Sequence, residues 1–319
     1  MYAMILDKNL NFCWQKLPDP VRKENEVLIS VHAASVNRAD IMQKDGCYAS
    51  PADWPPWCGL EIAGIVEDAP EKCHVKKGDK VCALLGGGGY SEMVTVPAGM
   101  VLPIPDGLSM EEAAAIPEVW ATVFLNLEKE AGDLKKDDVF YIQAAASGIG
   151  LAAIQYAKLK GSRVIASVGS DLKAEFVEKL GADIVINYKN EDASAVIAAN
   201  PPTIALDCVG GKNMGKNLQQ MAFGGRWIMI ATLAGGKTEI DLETIWRKRL
   251  KLIGSTLRSR TVEEKTAIMQ DLQRELWPLF SARKLSCHIH AVLPIQEVTA
   301  AHAILRRAEN IGKVVLRLR

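Results

Sequence analysis

Ser147-Gly148-Ile149-Gly150 is the stretch of this chain best suited to holding an anion. It follows an apolar run, Val139-Phe-Tyr-Ile142, rich in β-branched and aromatic residues. It opens a segment in which Ile149, Ala153, Tyr156 and Leu159 recur at helical spacing, and Gly161 stands as a stop. Strand, turn of small residues and helix start make the first half of a dinucleotide-binding βαβ unit. Small residues let the backbone approach a pyrophosphate, and the helix N-terminus offers it free N–H groups and a positive dipole end. The glycine pattern is incomplete, because Ala144 to Ser147 fill the earlier slots. The strand before it and the second strand-like run after it, Arg163-Val-Ile-Ala-Ser-Val168, supply the missing context.

The end of that second run bears on which dinucleotide fits. An NAD site usually sets Asp or Glu there, on the ribose 2′-hydroxyl. Here the chain reads Ser167-Val-Gly-Ser-Asp-Leu-Lys173. The strand end carries no acid, Asp171 falls where a helix-start residue would, and Lys173 is near.

These residues need two kinds of scaffold. Up to about residue 105 the chain shows short alternating runs, Glu26–His32, Glu61–Glu67, Lys80–Leu85 and Tyr90–Val96, punctuated by Gly and Pro. This predicts a small barrel or sandwich, with Gly86–Gly89 as a structural turn. From about Met110 strands and helices alternate, with strands expected at 163–168, 184–187, 204–208, 226–231 and 252–256. That pattern predicts a parallel, doubly wound sheet. A long amphipathic helix over Val262–Ser281 and a last strand over Gly312–Leu318 follow, the latter available to complete the first barrel.

Composition narrows the partners. With 319 residues the chain is longer than one ordinary core. Lys plus Arg equals Asp plus Glu at 38 each, which removes the general electrostatic drive toward nucleic acid or anionic membrane. No apolar run is long enough for a transmembrane helix and no secretory leader is visible. Seven scattered cysteines without C-x-x-C spacing read as packing residues of a reduced, cytoplasmic protein.

Five further segments, in order along the chain, carry a family resemblance. They are Ser35-Val-Asn-Arg-Ala-Asp-Ile-Met-Gln43, Gly46-Cys-Tyr48, Gly59-Leu-Glu-Ile-Ala-Gly64, Ala113–Thr122 and Asn310-Ile-Gly-Lys-Val-Val315. Together they resemble the zinc-independent quinone oxidoreductases of the medium-chain dehydrogenase/reductase superfamily, closest to the tumour-suppressor-inducible and zeta-crystallin-like group. The resemblance implies an α/β chain built from a GroES-like β-barrel catalytic domain, residues 1–117 and 257–319, and a Rossmann NADPH-binding domain, residues 118–256. It implies a homodimer.

It also implies roles. Zinc-using relatives carry His where this chain has Leu60 and Cys where it has Asn37, so no metal is expected. His32 and His74 are then surface or packing residues. Ser170, Lys173 and Tyr188 match the family's holders of the 2′-phosphate, which favours NADPH. Asn37 and Thr122 would lie near the nicotinamide, and Ser147, Gly148, Ile149 and Gly150 at the pyrophosphate. Val209 and Leu233 would line the cofactor edge or simply pack, and Asn310 would reach the cofactor from the terminal segment.

The implied reaction is hydride transfer from NADPH to a quinone in the cleft between the domains. Without a metal, hydrogen bonds must hold the developing oxyanion, and Asn37 and Tyr48 are the candidates. Tyr48 is either a proton donor or a pocket wall, and Trp54 and Trp57 either stack on a flat quinone or pack their loop. Two other readings stay open: reduction of an activated C=C bond in an enone or enoyl thioester, and a non-catalytic NADPH-binding sensor or structural protein.

Overall fold

The computed structural model describes all residues, Met1–Arg319. Two compact units emerge: Met1–Ala121 with Leu257–Arg319, and Thr122–Thr256. In chain order the first unit opens with β1 (Tyr2–Leu6), β2 (Phe12–Lys16), β3 (Glu26–Val36), helix α1 (Arg38–Lys44), β4 (Glu61–Asp68), β5 (Lys80–Leu84), β6 (Met93–Pro97) and β7 (Val101–Pro103). Helices α2 (Met110–Ala113) and α3 (Pro117–Phe124) follow.

The second unit alternates strand and helix. Its elements are β8 (Val139–Ile142), α4 (Gly148–Leu159), β9 (Arg163–Val168), α5 (Asp171–Lys179), β10 (Ile184–Asn187) and α6 (Ala193–Ala199). Then come β11 (Ile204–Asp207), α7 (Asn213–Leu218), β12 (Arg226–Met229), α8 (Leu242–Lys248) and β13 (Lys251–Gly254). The chain returns to the first unit with α9 (Val262–Ser281), β14 (Ile289–Pro294), α10 (Val298–Arg306) and β15 (Lys313–Arg317).

The second unit is a six-stranded, all-parallel sheet in the order β10-β9-β8-β11-β12-β13. The two strands that leave in opposite directions from β8 create the switch point where such sheets bind ligands. Its core gathers Tyr141, Ile165, Ile186, Ile197, Leu218 and Trp227. α4 is buried over a wider face than the expected stripe, through Leu151, Ala152, Ala153, Ile154, Tyr156 and Ala157. Leu159 is 45% exposed and does not belong to it. A helix lying flat on a sheet covers more than one stripe of its surface, so a single four-residue ladder under-describes it.

The first unit is a seven-stranded sheet in the order β14-β15-β3-β4-β5-β7, with β6 on β3. β15 pairs antiparallel with β3, so the C-terminal strand does complete the N-terminal sheet. The hairpin β1–β2 and the strand β14 are additions that the hydropathy pattern does not announce. Long β3 binds β4, β6 and β15, and its inward residues Val27, Ile29, Val31 and Ala33 are wholly buried. α9 seats Trp277 and Phe280, and Phe280 meets Trp120 edge-on at 4.9 Å. No helix is long and apolar enough to cross a membrane.

Candidate active site

The turn after β8 is a capped glycine turn that leads into α4. Ser147 caps α4, its Oγ accepting from the Gly150 backbone N–H at 3.1 Å. A Cβ at Gly150 would lie 2.3 Å from the Ala145 carbonyl oxygen, so only glycine lets helix and strand close this tightly. The first N–H groups of α4, at Gly148 and Ile149, have no acceptor inside a helix and face outward from its positive end. This donor set fits a pyrophosphate.

The second βα turn has a different character. Ser170 caps α5 and accepts from the Lys173 N–H at 3.4 Å. Asp171 starts the helix and accepts from Asn187 Nδ2 at 2.7 Å, which ties its carboxylate to β10 rather than leaving it for a ribose. Tyr188 is 56% exposed and lies across Gly169, where a Cβ would meet its hydroxyl at 2.3 Å. The Lys173 ammonium is held below its ordinary pKa, first by burial and then by a second cation, Lys189. The strand end therefore gathers a hydroxyl, a phenol and two ammonium groups.

Further along the same edge, Val209 and Gly210 donate their N–H groups to Asp207 Oδ1 at 2.7 and 3.0 Å. Asp207 is buried and also accepts from Trp227 Nε1, so the turn after β11 is rigid. Leu233 is 45% exposed, and its N–H reaches the Cys208 carbonyl. Thr122 is nearly buried, its carbonyl taken by Asn126 Nδ2 at 2.7 Å. Thus the turn residues, Ser170, Lys173, Tyr188, Val209 and Leu233 share the ends of parallel strands. Asn310, in the first unit, is bound to its own segment through the Gly312 carbonyl at 2.7 Å.

In the first unit Asn37 stands where β3 gives way to α1. Its backbone N–H donates to Asp40 Oδ2 at 2.8 Å, and Asp40 Oδ1 accepts from Gly59 N at 2.7 Å. Burial pushes the Asp40 carboxyl up to about 6 despite those donors. The Asn37 side chain meets two charged groups: Oδ1 accepts from Lys313 Nζ at 2.7 Å, and Nδ2 donates to Glu61 Oε1 at 2.9 Å. Lys313 and Glu61 pair at 2.8 Å, with side chains 6% and 0% exposed. Removing one partner of such a pair costs about 3–5 kcal/mol, since the other charge is left uncompensated. Glu61 Oε2 also accepts from the Glu118 backbone N–H at 2.9 Å. The Glu118 carboxyl is raised to about 8, by burial first and then by the Glu61 charge.

Tyr48 lies just beyond the C-terminal end of α1, partly buried. Burial raises its phenol pKa, partly offset by Arg258. Arg258 is buried and holds the Gly86 carbonyl, the Tyr48 carbonyl, Gln43 Oε1 and Ser50 Oγ at 2.6–3.1 Å. Trp57 Nε1 donates to the Gly88 carbonyl at 2.9 Å, and Trp54 lies directly on Gly86. Both tryptophans thus pack the loop against the Gly86–Gly89 turn. Leu60 is wholly buried in the core. No group of three or more His, Cys, Asp or Glu side chains is arranged to hold a metal ion. His74 Nε2 bonds the Val101 carbonyl at 2.8 Å.

Known proteins match the chain throughout. Residues 23–106 match the family described as alcohol dehydrogenase GroES-like domain, and residues 148–273 the one described as zinc-binding dehydrogenase. A solved quinone oxidoreductase from Thermus thermophilus, determined also in complex with NADPH, superposes with TM-score 0.86 at 31% identity over 100% of both chains. The chain belongs to the medium-chain dehydrogenase/reductase superfamily. Among curated members of this superfamily, the quinone oxidoreductase of Sus scrofa is 29% identical over 94% of this chain and 91% of the relative. Quinone oxidoreductase 1 of Escherichia coli is 29% identical over 92% of this chain and 91% of the relative. A solved NAD-dependent alcohol dehydrogenase superposes as well, with TM-score 0.87 at 27% identity over 100% of both chains.

This medium-chain dehydrogenase/reductase is therefore an oxidoreductase by family, with a GroES-like unit and a Rossmann unit as its two folds. Four of its buried or half-buried charges escape sequence reasoning: Lys313, Glu61, Glu118 and Arg258. Glu61 and Lys313 fall inside the very segments that carry the resemblance, but nothing in the sequence says that they meet. Lys189 follows Tyr188 directly, and that adjacency is the one signal available for it.

Proposed function

We propose that this protein is an NADPH-dependent quinone reductase that works without a metal ion. The observation that carries the reading is the end-to-end likeness to the Thermus thermophilus quinone oxidoreductase, a protein solved in complex with NADPH. The choice of NADPH over NADH is supported by the second βα turn, where Ser170, Lys173, Tyr188 and Lys189 stand and the nearest acid, Asp171, is taken by Asn187. Cations and hydroxyls favour a dianionic 2′-phosphate.

When bound, NADPH supplies a hydride, and with one proton it converts a quinone to a hydroquinone. The protein's part is to hold the cofactor and stabilise charge on the substrate oxygen. Ser147, Gly148, Ile149 and Gly150 hold the pyrophosphate, with Val209 and Leu233 along the strand ends. Asn37 and Tyr48 donate hydrogen bonds to the oxygen that becomes negative. The Tyr48 phenol is neutral at physiological pH, so its proton is in place for donation.

A homodimer accompanies this reading. β13 pairs only with β12, leaving the outer edge of the sheet open. Leu252 on that edge, with Trp246 on α8, is strongly exposed. An open apolar edge favours pairing with a second copy of itself.

The test is NADPH oxidation with a panel of ortho- and para-quinones, enones and enoyl thioesters, with NADH run in parallel. Quinone turnover with NADPH preferred is the expected result. Turnover of enones or thioesters alone would move the assignment to C=C reduction. Tight NADPH binding with no turnover would leave a sensor.

A further inference from the structure

Asn37, Glu61 and Lys313 close a ring in which each side chain bonds both others. Lys313 Nζ spends its three donors on the Val36 carbonyl at 3.2 Å, on Asn37 Oδ1 at 2.7 Å and on Glu61 Oε1 at 2.8 Å. Glu61 uses Oε1 for Asn37 Nδ2 and Lys313, and Oε2 for the Glu118 N–H. The ammonium and the carboxylate are both nearly removed from solvent. Lys313 has no donor left over to reach a substrate directly, and Glu61, which only accepts, cannot donate to a substrate oxygen.

What the pair controls is the amide between them. A lysine only donates and a carboxylate only accepts. Flipping the Asn37 amide would set its NH₂ against the ammonium and its oxygen against the carboxylate, so one orientation is enforced. The Asn37 backbone is fixed too, through Asp40. Of the two Nδ2 hydrogens, one is held by Glu61 at 2.9 Å, whereas the only other contact of Nδ2, to the Ser35 carbonyl, is 3.5 Å long. That second hydrogen is the under-used donor of the ring. A cation on Oδ1 withdraws electron density from the amide and makes its N–H groups stronger donors.

We propose that Lys313, together with Glu61, is a positioning residue for this reductase: it locks and polarises the Asn37 amide so that its loosely held Nδ2 hydrogen is offered to the substrate oxygen. The inference rests on the quinone-reductase reading for the identity of that oxygen. It makes the buried pair part of the reaction machinery without direct contact with the reacting atoms.

The decisive variant is Lys313→Met combined with Glu61→Gln. Lys313→Met alone strands the Glu61 carboxylate and risks misfolding, whereas the double variant removes both charges at similar volume. Methionine no longer donates to Oδ1, and glutamine, with both a donor and an acceptor, no longer dictates the amide's orientation. The double variant should bind NADPH as the parent does, and kcat should fall about 10–100-fold with a smaller change in KM. Adding Asn37→Ala should cost little more, because the two changes remove the same interaction. A double variant with parental kcat would overturn the proposal.

A second measurement needs no turnover. With isotope-labelled asparagine, the Asn37 side-chain amide is assigned by its loss in Asn37→Ala. Its hydrogens should be well separated and slow to exchange in the parent, and should merge toward ordinary solvent-exposed values in the double variant. An unchanged amide signal would equally overturn the proposal. If the parent protein reduces no quinone or enone with NADPH, the functional reading fails while this measurement still decides whether Lys313 and Glu61 hold Asn37.

Discussion

The Arg258 guanidinium lies over the ring of Tyr48, 5.0 Å from its centroid, and bonds the carbonyl of the same residue at 3.1 Å. One buried cation therefore fixes both the face of the tyrosine and its backbone. Its remaining bonds, to Gln43, Ser50 and Gly86, tie α1, the loop after it and the glycine turn together. The tyrosine is held while its hydroxyl makes no bond that spends its proton.

That arrangement makes Tyr48→Phe a clean probe. The ring and its contact with Arg258 remain, and only the hydroxyl is lost. If the phenol stabilises the oxyanion, kcat falls about 10–1,000-fold while NADPH affinity changes less. Steady-state kinetics across several quinones checks it. Parental kcat would leave Tyr48 as a wall of the pocket, with the oxyanion contact on Asn37 alone.

Cofactor preference should follow Lys173. Lys173→Ala is expected to weaken NADPH about tenfold or more, with NADH little changed, since one charged hydrogen bond is worth about 1.5–3 kcal/mol. Gly169→Asp should act in the same direction. It puts a carboxylate at the strand end and displaces the Tyr188 hydroxyl, which lies where a Cβ would stand. Titration of both cofactors by fluorescence reads the two effects. Equal affinities in the parent protein would remove the basis for the NADPH assignment.

Chelation should not inactivate the enzyme. At the two positions where the family resemblance implies zinc ligands, this chain has buried Leu60 and an Asn37 whose oxygen is bound by an ammonium. A fixed cation beside that oxygen opposes a second one. Dialysis against a chelator should leave quinone turnover intact. Stoichiometric zinc in the dialysed protein would contradict this.

Stability should fall as pH rises across neutrality. Glu118 has a folded pKa of about 8, above the ordinary glutamate value near 4.5. Between those values the folded state holds a proton that the unfolded chain has released, so each pH unit costs up to about 1.4 kcal/mol. Asp40, raised from 3.8 to about 6, adds to the loss at the acidic end of the range. Thermal unfolding from mildly acid to mildly alkaline pH should show a falling Tm. Glu118→Gln should flatten the slope above about pH 6, and a parental slope in that variant would refute the assignment.

Assembly can be tested at the open strand. Light scattering should show a dimer at micromolar concentration, and Leu252→Glu on the exposed edge of β13 should shift it toward monomer. A parent protein that is monomeric throughout would remove the homodimer.

Much of this protein is legible in its sequence because much of it is local. The α9 boundaries, Val262–Ser281, coincide with the amphipathic run, and the strands of the second unit fall where apolar runs alternate with helical ones. Period and punctuation act over a few residues, so a linear reading captures them. The capped glycine turn before α4 is legible for the same reason: Ser147, Gly148 and Gly150 are neighbours in the chain and in space. The hairpin β1–β2 is not legible, since β2 ends in Gln-Lys and the short apolar β1 takes its place by pairing with β2 and by backbone bonds to Tyr90 and Glu92, far along the chain.

The chemistry around Asn37 was decided by tertiary structure alone. Lys313 meets it from 276 residues away, because β15 returns to pair with β3 and sets Val314 opposite Val36. In the sequence Lys313 and Glu61 are ordinary charged residues at strand starts, with every reason to face water. Only burial turns them into an obligatory pair, since a carboxylate and an ammonium out of solvent must find each other. The same holds for Glu118, whose raised pKa comes from depth and from a neighbouring charge, two quantities that no local pattern encodes.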